Sequence, residues 1–81
     1  MKITHWGYDD WEGLFVDGVL FDEGHATPMW LLERASNGKP FTFETKTSDE
    51  RLGQYLQDHG RFTHKTIAEV EAELNKYGEA Q

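Results

Sequence analysis

The chain has 81 residues, no cysteine, 3 Trp, 3 Tyr and 5 Phe, and a formal net charge of −7. We expect one domain over residues 1–81, and the lack of cysteine excludes disulfides and thiolate chemistry. The excess of acidic over basic residues disfavours direct nucleic-acid binding, and no signal peptide or membrane-spanning run is recognisable, so we expect a soluble, cytoplasmic protein without a membrane partner.

The first predicted element is a strand over residues 2–8. Side chains alternate between the two faces of a strand, so Trp6 and Tyr8 share one face while His5 lies on the other. Asp9-Asp10 follow, and their residue types favour a turn into the next strand.

Residues 11–25 predict a β-hairpin. Asp17-Gly18 separates two apolar runs and suits a two-residue type I′ turn, which needs positive φ at both positions. Such a turn fixes a register in which the numbers of facing residues sum to 35, so Phe15 faces Leu20. Both faces near the turn are apolar, which predicts that the hairpin is covered on both sides or contacts a partner.

The base of this hairpin is predicted to be strongly polar. The register places Glu12 opposite Glu23 and Asp10 opposite His25, all on one face. A like-charge cross-strand pair lowers stability, so a sequence selected only for folding would not favour it. Three interpretations stay open: the charges are simply solvated, they form an anionic contact surface, or they form a metal or catalytic site.

A short helix and a strand follow the hairpin. Thr27-Pro28 predicts a helix start, with Thr as the N-cap and Pro at the first helical position, and Pro40 blocks its continuation. Residues 41–46 alternate between apolar and polar, which predicts a half-buried strand with Phe41 and Phe43 pointing inward.

Two more helices complete the chain. Thr47 and Glu50 have the spacing of a capping box that opens a helix ending near Gly60. The last helix begins after either Thr63 or Thr66. The order β-β-β-α-β-α-α predicts an α+β fold, with a small antiparallel sheet of three to four strands and helices packed on one face.

Charge distribution and aromatic content point to recognition rather than catalysis. Residues 1–25 hold six acidic and one basic residue, so −5 of the net −7 lies there. Such a surface suits a basic partner or simply maintains solubility, and Trp and Tyr are enriched at interface hot spots. The expected contact residues all lie on the hairpin: Asp10, Trp11, Glu12, Phe15, Leu20, Asp22 and Glu23.

We therefore expect a small acidic, non-enzymatic binding protein, an inhibitor or modulator that engages a basic protein surface, with mimicry of nucleic-acid phosphates as one route. In size and composition the chain resembles small phage or mobile-element proteins that inhibit a host protein. No His-x-x-x-His, Gly-x-Ser-x-Gly or phosphate-loop pattern is present, so the sequence predicts no catalytic residue and no cofactor.

Two alternatives come from other classes of protein. The first is a structural or assembly protein that homodimerises through Phe15, Leu20 and an exposed sheet edge. The second is a divalent-metal-binding domain or metal-dependent enzyme with Glu12, Glu23 and His25 as ligands, because carboxylates and imidazole bind Mn²⁺, Zn²⁺ or Mg²⁺.

Overall fold

A computed structural model of the chain describes residues 1–79, with side chains as far as Tyr77. The element order and the α+β class are as predicted. No helix in this described part is long and apolar enough to cross a membrane. The elements are β1 (Lys2–Tyr8), β2 (Trp11–Val16), β3 (Val19–Gly24), α1 (Met29–Ser36), β4 (Thr42–Thr45), α2 (Glu50–His59) and α3 (Ile67–Glu79).

The four strands form one mixed sheet in the order β3-β2-β1-β4. The first three strands are antiparallel neighbours, whereas β4 pairs parallel to β1. The parallel pair differs from the antiparallel sheet that the sequence predicted, and α1 is the reason. This helix carries the chain back along the sheet after β3, so that β4 runs in the same direction as β1.

Helices cover both faces of the sheet. On one face, α2 and α3 enclose the larger core, which includes Trp6 and Phe15. On the other face, α1 packs Leu31 and Ala35 against Ile3 of β1 and Leu14 of β2. The expectation of helices on a single face therefore holds for α2 and α3 but is wrong for α1. The apolar residues on both faces of the hairpin tip account for this arrangement.

The turn of the β2–β3 hairpin is as predicted. Asp17 and Gly18 have φ values of 50° and 85°, both in the left-handed region that a type I′ turn requires. Phe15 faces Leu20, so the register near the turn is confirmed.

A β-bulge changes the register at the base of the hairpin. Phe21 is an extra residue in β3, and beyond it Glu12 faces Gly24 while Glu23 faces Gly13. A shift of one residue moves every following side chain to the other face. The predicted opposition of Glu12 and Glu23 is therefore wrong, and these carboxylates point to opposite sides of the sheet.

Helix capping agrees with the sequence at the start of α3 but not at the start of α2. Thr66 accepts a hydrogen bond from the backbone N–H of Glu69 at 3.1 Å and donates to its carboxylate at 2.9 Å, which settles the start of α3. The N-cap of α2 is Asp49, which accepts from the backbone N–H of Arg51 at 3.0 Å, and not Thr47. Asp is preferred to Thr as an N-cap, and Asp49 stands directly before the first helical residue.

The two outer strands of the sheet differ in whether another segment covers their outer edge. At the β3 edge, the Leu20 N–H donates to Lys65 and the Ile67 N–H donates to Gly18, so the segment before α3 covers the hairpin tip. The outer edge of β4 has no such cover among the described residues, and all of Thr42–Thr45 is exposed. Phe41 and Phe43, predicted to point inward, are 37% and 49% exposed, because β4 is the outermost strand and pairs only with β1.

Candidate functional site

A groove of about 560 Å³ lies between the β1–β2 turn and the exposed side of α2. We call it the acidic groove, and the turn and the helix supply its two walls. Its lining residues are Tyr8, Asp9, Asp10, Trp11, Glu50, Gly53, Gln54, Leu56, Gln57 and Gly60.

The turn wall presents two aromatic rings. Tyr8 and Trp11 face each other across the β1–β2 pair, and Asp9 adopts the left-handed conformation (φ 57°) that so short a connection requires. Tyr8 shares the face of Trp6, and Trp11 packs against the core formed with α2 and α3. Both rings therefore lie on the side of the sheet that α2 covers.

The helix wall is shaped by a glycine. A Cβ added at Gly53 would lie 2.6 Å from ring carbons of Tyr8, so the Tyr8 ring rests directly on the backbone of α2. Glycine inside a helix costs about 1 kcal/mol relative to alanine. The close approach of the ring explains why a glycine stands there, and it fixes the width of the groove.

The charge of the groove has a single sign. Asp9, Asp10 and Glu50 contribute three carboxylates, and no basic side chain is found among the described residues that line it. Gln54 and Gln57 add amide groups, which both donate and accept hydrogen bonds. Aromatic rings beside carboxylates form an environment that attracts cations.

Glu23 holds one aromatic wall in place. The indole N–H of Trp11 donates to Glu23 Oε1 at 3.0 Å, and the backbone N–H of Phe62 donates to the same oxygen at 2.8 Å. The carboxylate thus fixes the Trp11 ring and ties it to the connection between α2 and α3. Glu23, which the sequence predicts to contact a partner, positions a residue that lines the groove.

Glu12 performs a structural role on the opposite face. It accepts hydrogen bonds from His5 Nε2 at 2.5 Å and from Thr27 Oγ1 at 2.9 Å. The hydrogen bond from His5 is the main reason that the pKa of the Glu12 carboxyl lies below its usual value of 4.5, and the bond from Thr27 adds to this effect. Thr27, predicted to cap α1, is engaged here, and α1 begins after Pro28 without a side-chain cap.

The remaining predicted contact residues are divided between core and surface. Phe15 is completely buried and is not available to a partner in the folded protein, whereas Leu20 is partly buried against the same core. Asp22 is exposed, and its carboxylate accepts from the backbone N–H of Glu23 at 2.8 Å. Of the seven predicted contact residues, only Asp10 and Trp11 line the acidic groove.

The proposed metal ligands are not brought together. Glu12 and Glu23 lie on opposite faces, and His25 is 3.6 Å from the Asp10 carboxylate, with both side chains mostly exposed. Over the part of the chain that the structure describes, no cluster of three His, Asp or Glu side chains is arranged to hold a metal ion. The residues of the metal hypothesis therefore do not suit such a centre.

Sequence reasoning missed the contribution of α2 to the site. Glu50, Gln54 and Gln57 lie some forty residues from the turn that they face, and only the docking of α2 on β1 unites them. One signal was available in Gly53, because a glycine inside a helical pattern often marks close packing. Tyr8 and Asp9 were recognised as an aromatic strand residue and a turn residue, without a connection to binding.

No family model, no curated protein and no solved structure matches this chain.

Proposed function

We propose that this chain is a non-enzymatic binding protein that holds a basic segment of a partner protein in the acidic groove. The observation that carries the proposal is the combination of Tyr8 and Trp11 with three carboxylates in a groove of about 560 Å³. Ligand sites in proteins typically have volumes of roughly 300–1,000 Å³, so the groove is large enough for one or two long side chains.

Arginine and lysine are the side chains that suit this chemistry. A cation over an aromatic ring gains about 0.5–1 kcal/mol at an exposed site and about 2 kcal/mol when it is desolvated. Arginine also offers a planar fork of donors that a carboxylate such as Asp10 or Glu50 accepts in pairs. The groove therefore selects a basic peptide, whereas it repels phosphate groups.

Inhibition is the biological role that we propose for such binding. A protein that occupies a basic surface blocks whatever that surface otherwise binds, including nucleic-acid phosphates. The excess of negative charge on residues 1–25 also steers a basic partner toward this end of the sheet and raises the association rate.

Nuclear magnetic resonance provides a direct test with a synthetic peptide of alternating Arg and Gly. The chain contains three Trp residues, whose indole N–H signals report on separate locations. Trp11 lines the groove, Trp6 is buried, and Trp30 is exposed on α1 across the sheet. We expect titration with the peptide to shift the Trp11 signal and to leave that of Trp30 in place.

Two double variants with equal charge change separate groove binding from general attraction. Asp10→Asn with Glu50→Gln removes two groove carboxylates, whereas Asp22→Asn with Glu33→Gln removes two exposed carboxylates outside it. Exposed ion pairs are worth about 0.2–1 kcal/mol each, so the groove variant should bind the peptide roughly two- to thirtyfold more weakly. Equal weakening by both variants, or a shift of Trp30 alone, would contradict the proposal.

A further inference from the structure

The outer edge of β4 is a strand edge with its hydrogen-bonding groups free to pair. The Thr42 N–H donates to Met1 and the Lys46 N–H donates to His5, both across the β1–β4 pair. Along an edge strand, the backbone N–H and C=O groups of successive residues point alternately toward the neighbouring strand and away from the sheet. The N–H and C=O groups of Phe43 and Thr45 therefore point away from the sheet.

Natural proteins usually blunt such edges with bulges, prolines or a covering segment. This chain does so at β3, where Lys65 and Ile67 hydrogen-bond to the hairpin tip. At β4 the described part of the chain provides no cover, and the rings of Phe41 and Phe43 stand exposed on one face beside the open edge. One edge of the sheet is therefore covered, and the other is open.

We propose that two copies of the chain pair through this edge, β4 against β4, antiparallel about a two-fold axis at Phe43. The occupant that best matches the edge is a second copy, because the edge is complementary to itself in this arrangement. Phe43 then faces Phe43 of the second copy, and Phe41 faces Thr45. The two four-stranded sheets become one continuous sheet.

Side-chain chemistry selects this register among the possible ones. Outward-pointing residues must face each other, which allows a two-fold axis at any residue of β4. An axis at Thr42 pairs Phe41 with Phe43 but places Thr45 opposite Lys39, which lies in the turn after α1, where its N–H donates to Ser36. An axis at Glu44 places two carboxylates opposite each other, which is unfavourable. An axis at Thr45 leaves Phe41 outside the paired region. Only the axis at Phe43 pairs the whole stretch 41–45 with the same stretch of the second copy. It brings Phe41 and Phe43 of both copies into the paired region and gains a cross-strand aromatic pair.

Charge at this edge does not oppose self-association, despite the acidic character of the whole chain. Lys2 lies 3.0 Å from the Glu44 carboxylate, and Lys46 lies 3.5 Å from that of Glu71. Lys39, close before β4, adds a further positive charge. The acidic groove is at the far end of β1, and no residue of β4 lines it, so the dimer leaves the groove accessible.

The absence of cysteine makes a disulfide scan unambiguous. Phe43→Cys, Glu44→Cys and Thr45→Cys each introduce one thiol on the exposed strand. Facing residues have Cα atoms about 5.5 Å apart, within reach of a disulfide, whereas diagonal neighbours at about 7–8 Å are not. We expect mild oxidation to produce covalent dimers of Phe43→Cys at several times the yield of the other two variants.

Sedimentation of the unaltered chain over a range of concentrations measures the association itself. Four residues a side form a small interface, so the dimer fraction should rise mainly at high concentration. Phe43→Lys and Phe43→Glu should each sediment as monomers, and an equimolar mixture should restore the dimer because residue 43 faces itself.

Three results would overturn the inference. They are a strict monomer at every concentration, preferential cross-linking of Glu44→Cys or Thr45→Cys, and failure of the Lys and Glu variants to associate when mixed. The Asp10→Asn, Glu50→Gln groove variant should dimerise like the unaltered chain, so loss of peptide binding and loss of dimerisation are distinguishable.

Discussion

Replacing Gly13 by alanine tests the close packing of β2 against the connection between α2 and α3. A Cβ at Gly13 would lie 2.6 Å from Cε2 of Phe62 and 3.0 Å from Cε1 of Phe15. Both rings are buried, at 3% and 0% exposure, so neither can move aside without disturbing its neighbours. Gly24, on the paired strand β3, has no atom within 4 Å of the same added carbon and provides the control.

The expected magnitude follows from two opposing effects. Overpacking of a filled core costs about 1–3 kcal/mol, whereas alanine in a strand regains about 0.5–1 kcal/mol of backbone entropy. We expect Gly13→Ala to lower the free energy of unfolding by about 1.3 kcal/mol, within a range of about 0–2.5 kcal/mol. Gly24→Ala should raise it by about 0.4–1 kcal/mol. A domain of 81 residues has a total stability of about 4–12 kcal/mol.

Urea denaturation of the three proteins measures these differences. The midpoint should fall for Gly13→Ala and rise slightly for Gly24→Ala, with an unchanged slope because the surface exposed on unfolding is the same. Phe62→Leu combined with Gly13→Ala should cost less than the sum of the single changes, since the smaller side chain makes room. A Gly13→Ala variant as stable as Gly24→Ala would refute the placement of the Phe62 ring on the sheet.

Three further predictions concern the groove and two titrating groups. Gly53→Ala should displace the Tyr8 ring and weaken binding of the basic peptide in the same titration, while the free energy of unfolding changes little, since the helix gains about 1 kcal/mol of propensity. The lowered pKa of Glu12 contributes stability that is present above pH 4.5 and is lost as the pH falls through the pKa that Glu12 has in the folded protein. When the urea midpoint is plotted against pH, Glu12→Gln should therefore reduce the loss of stability below pH 4.5. Burial, with the hydrogen bond to Asp58, raises the pKa of Tyr77 to about 12, so ultraviolet titration should show a tyrosine that ionises late. Asp58→Asn should lower that pKa only part of the way, because the burial remains.

Local signals predicted the secondary structure well. The Asp17-Gly18 turn depends on backbone conformations that few residues adopt, so two letters suffice to locate it. The Thr66 capping box is equally local. The order of elements, and with it the α+β class, followed from such signals along the chain.

The candidate site could not be predicted in the same way, because its geometry depends on single-residue details and on docking. The extra residue Phe21 reverses the faces of everything beyond it, and nothing in the hairpin sequence distinguishes a bulge from regular pairing. Glu12 and Glu23 consequently appeared to repel each other, although each is hydrogen-bonded on its own face. The wall that α2 contributes depends on contacts between residues far apart in sequence.

The hydrogen bonds that cover the β3 edge also couple the unfolding of the hairpin tip to the unfolding of the start of α3. The Leu20 N–H donates to Lys65 at 2.6 Å and the Ile67 N–H donates to Gly18 at 2.9 Å, so neither bond survives if α3 and the turn separate. Hydrogen exchange at Leu20 and Ile67 should therefore require the same opening event and give the same protection free energy. The hairpin tip and the start of α3 would then unfold as one cooperative unit, despite the long stretch of chain between them.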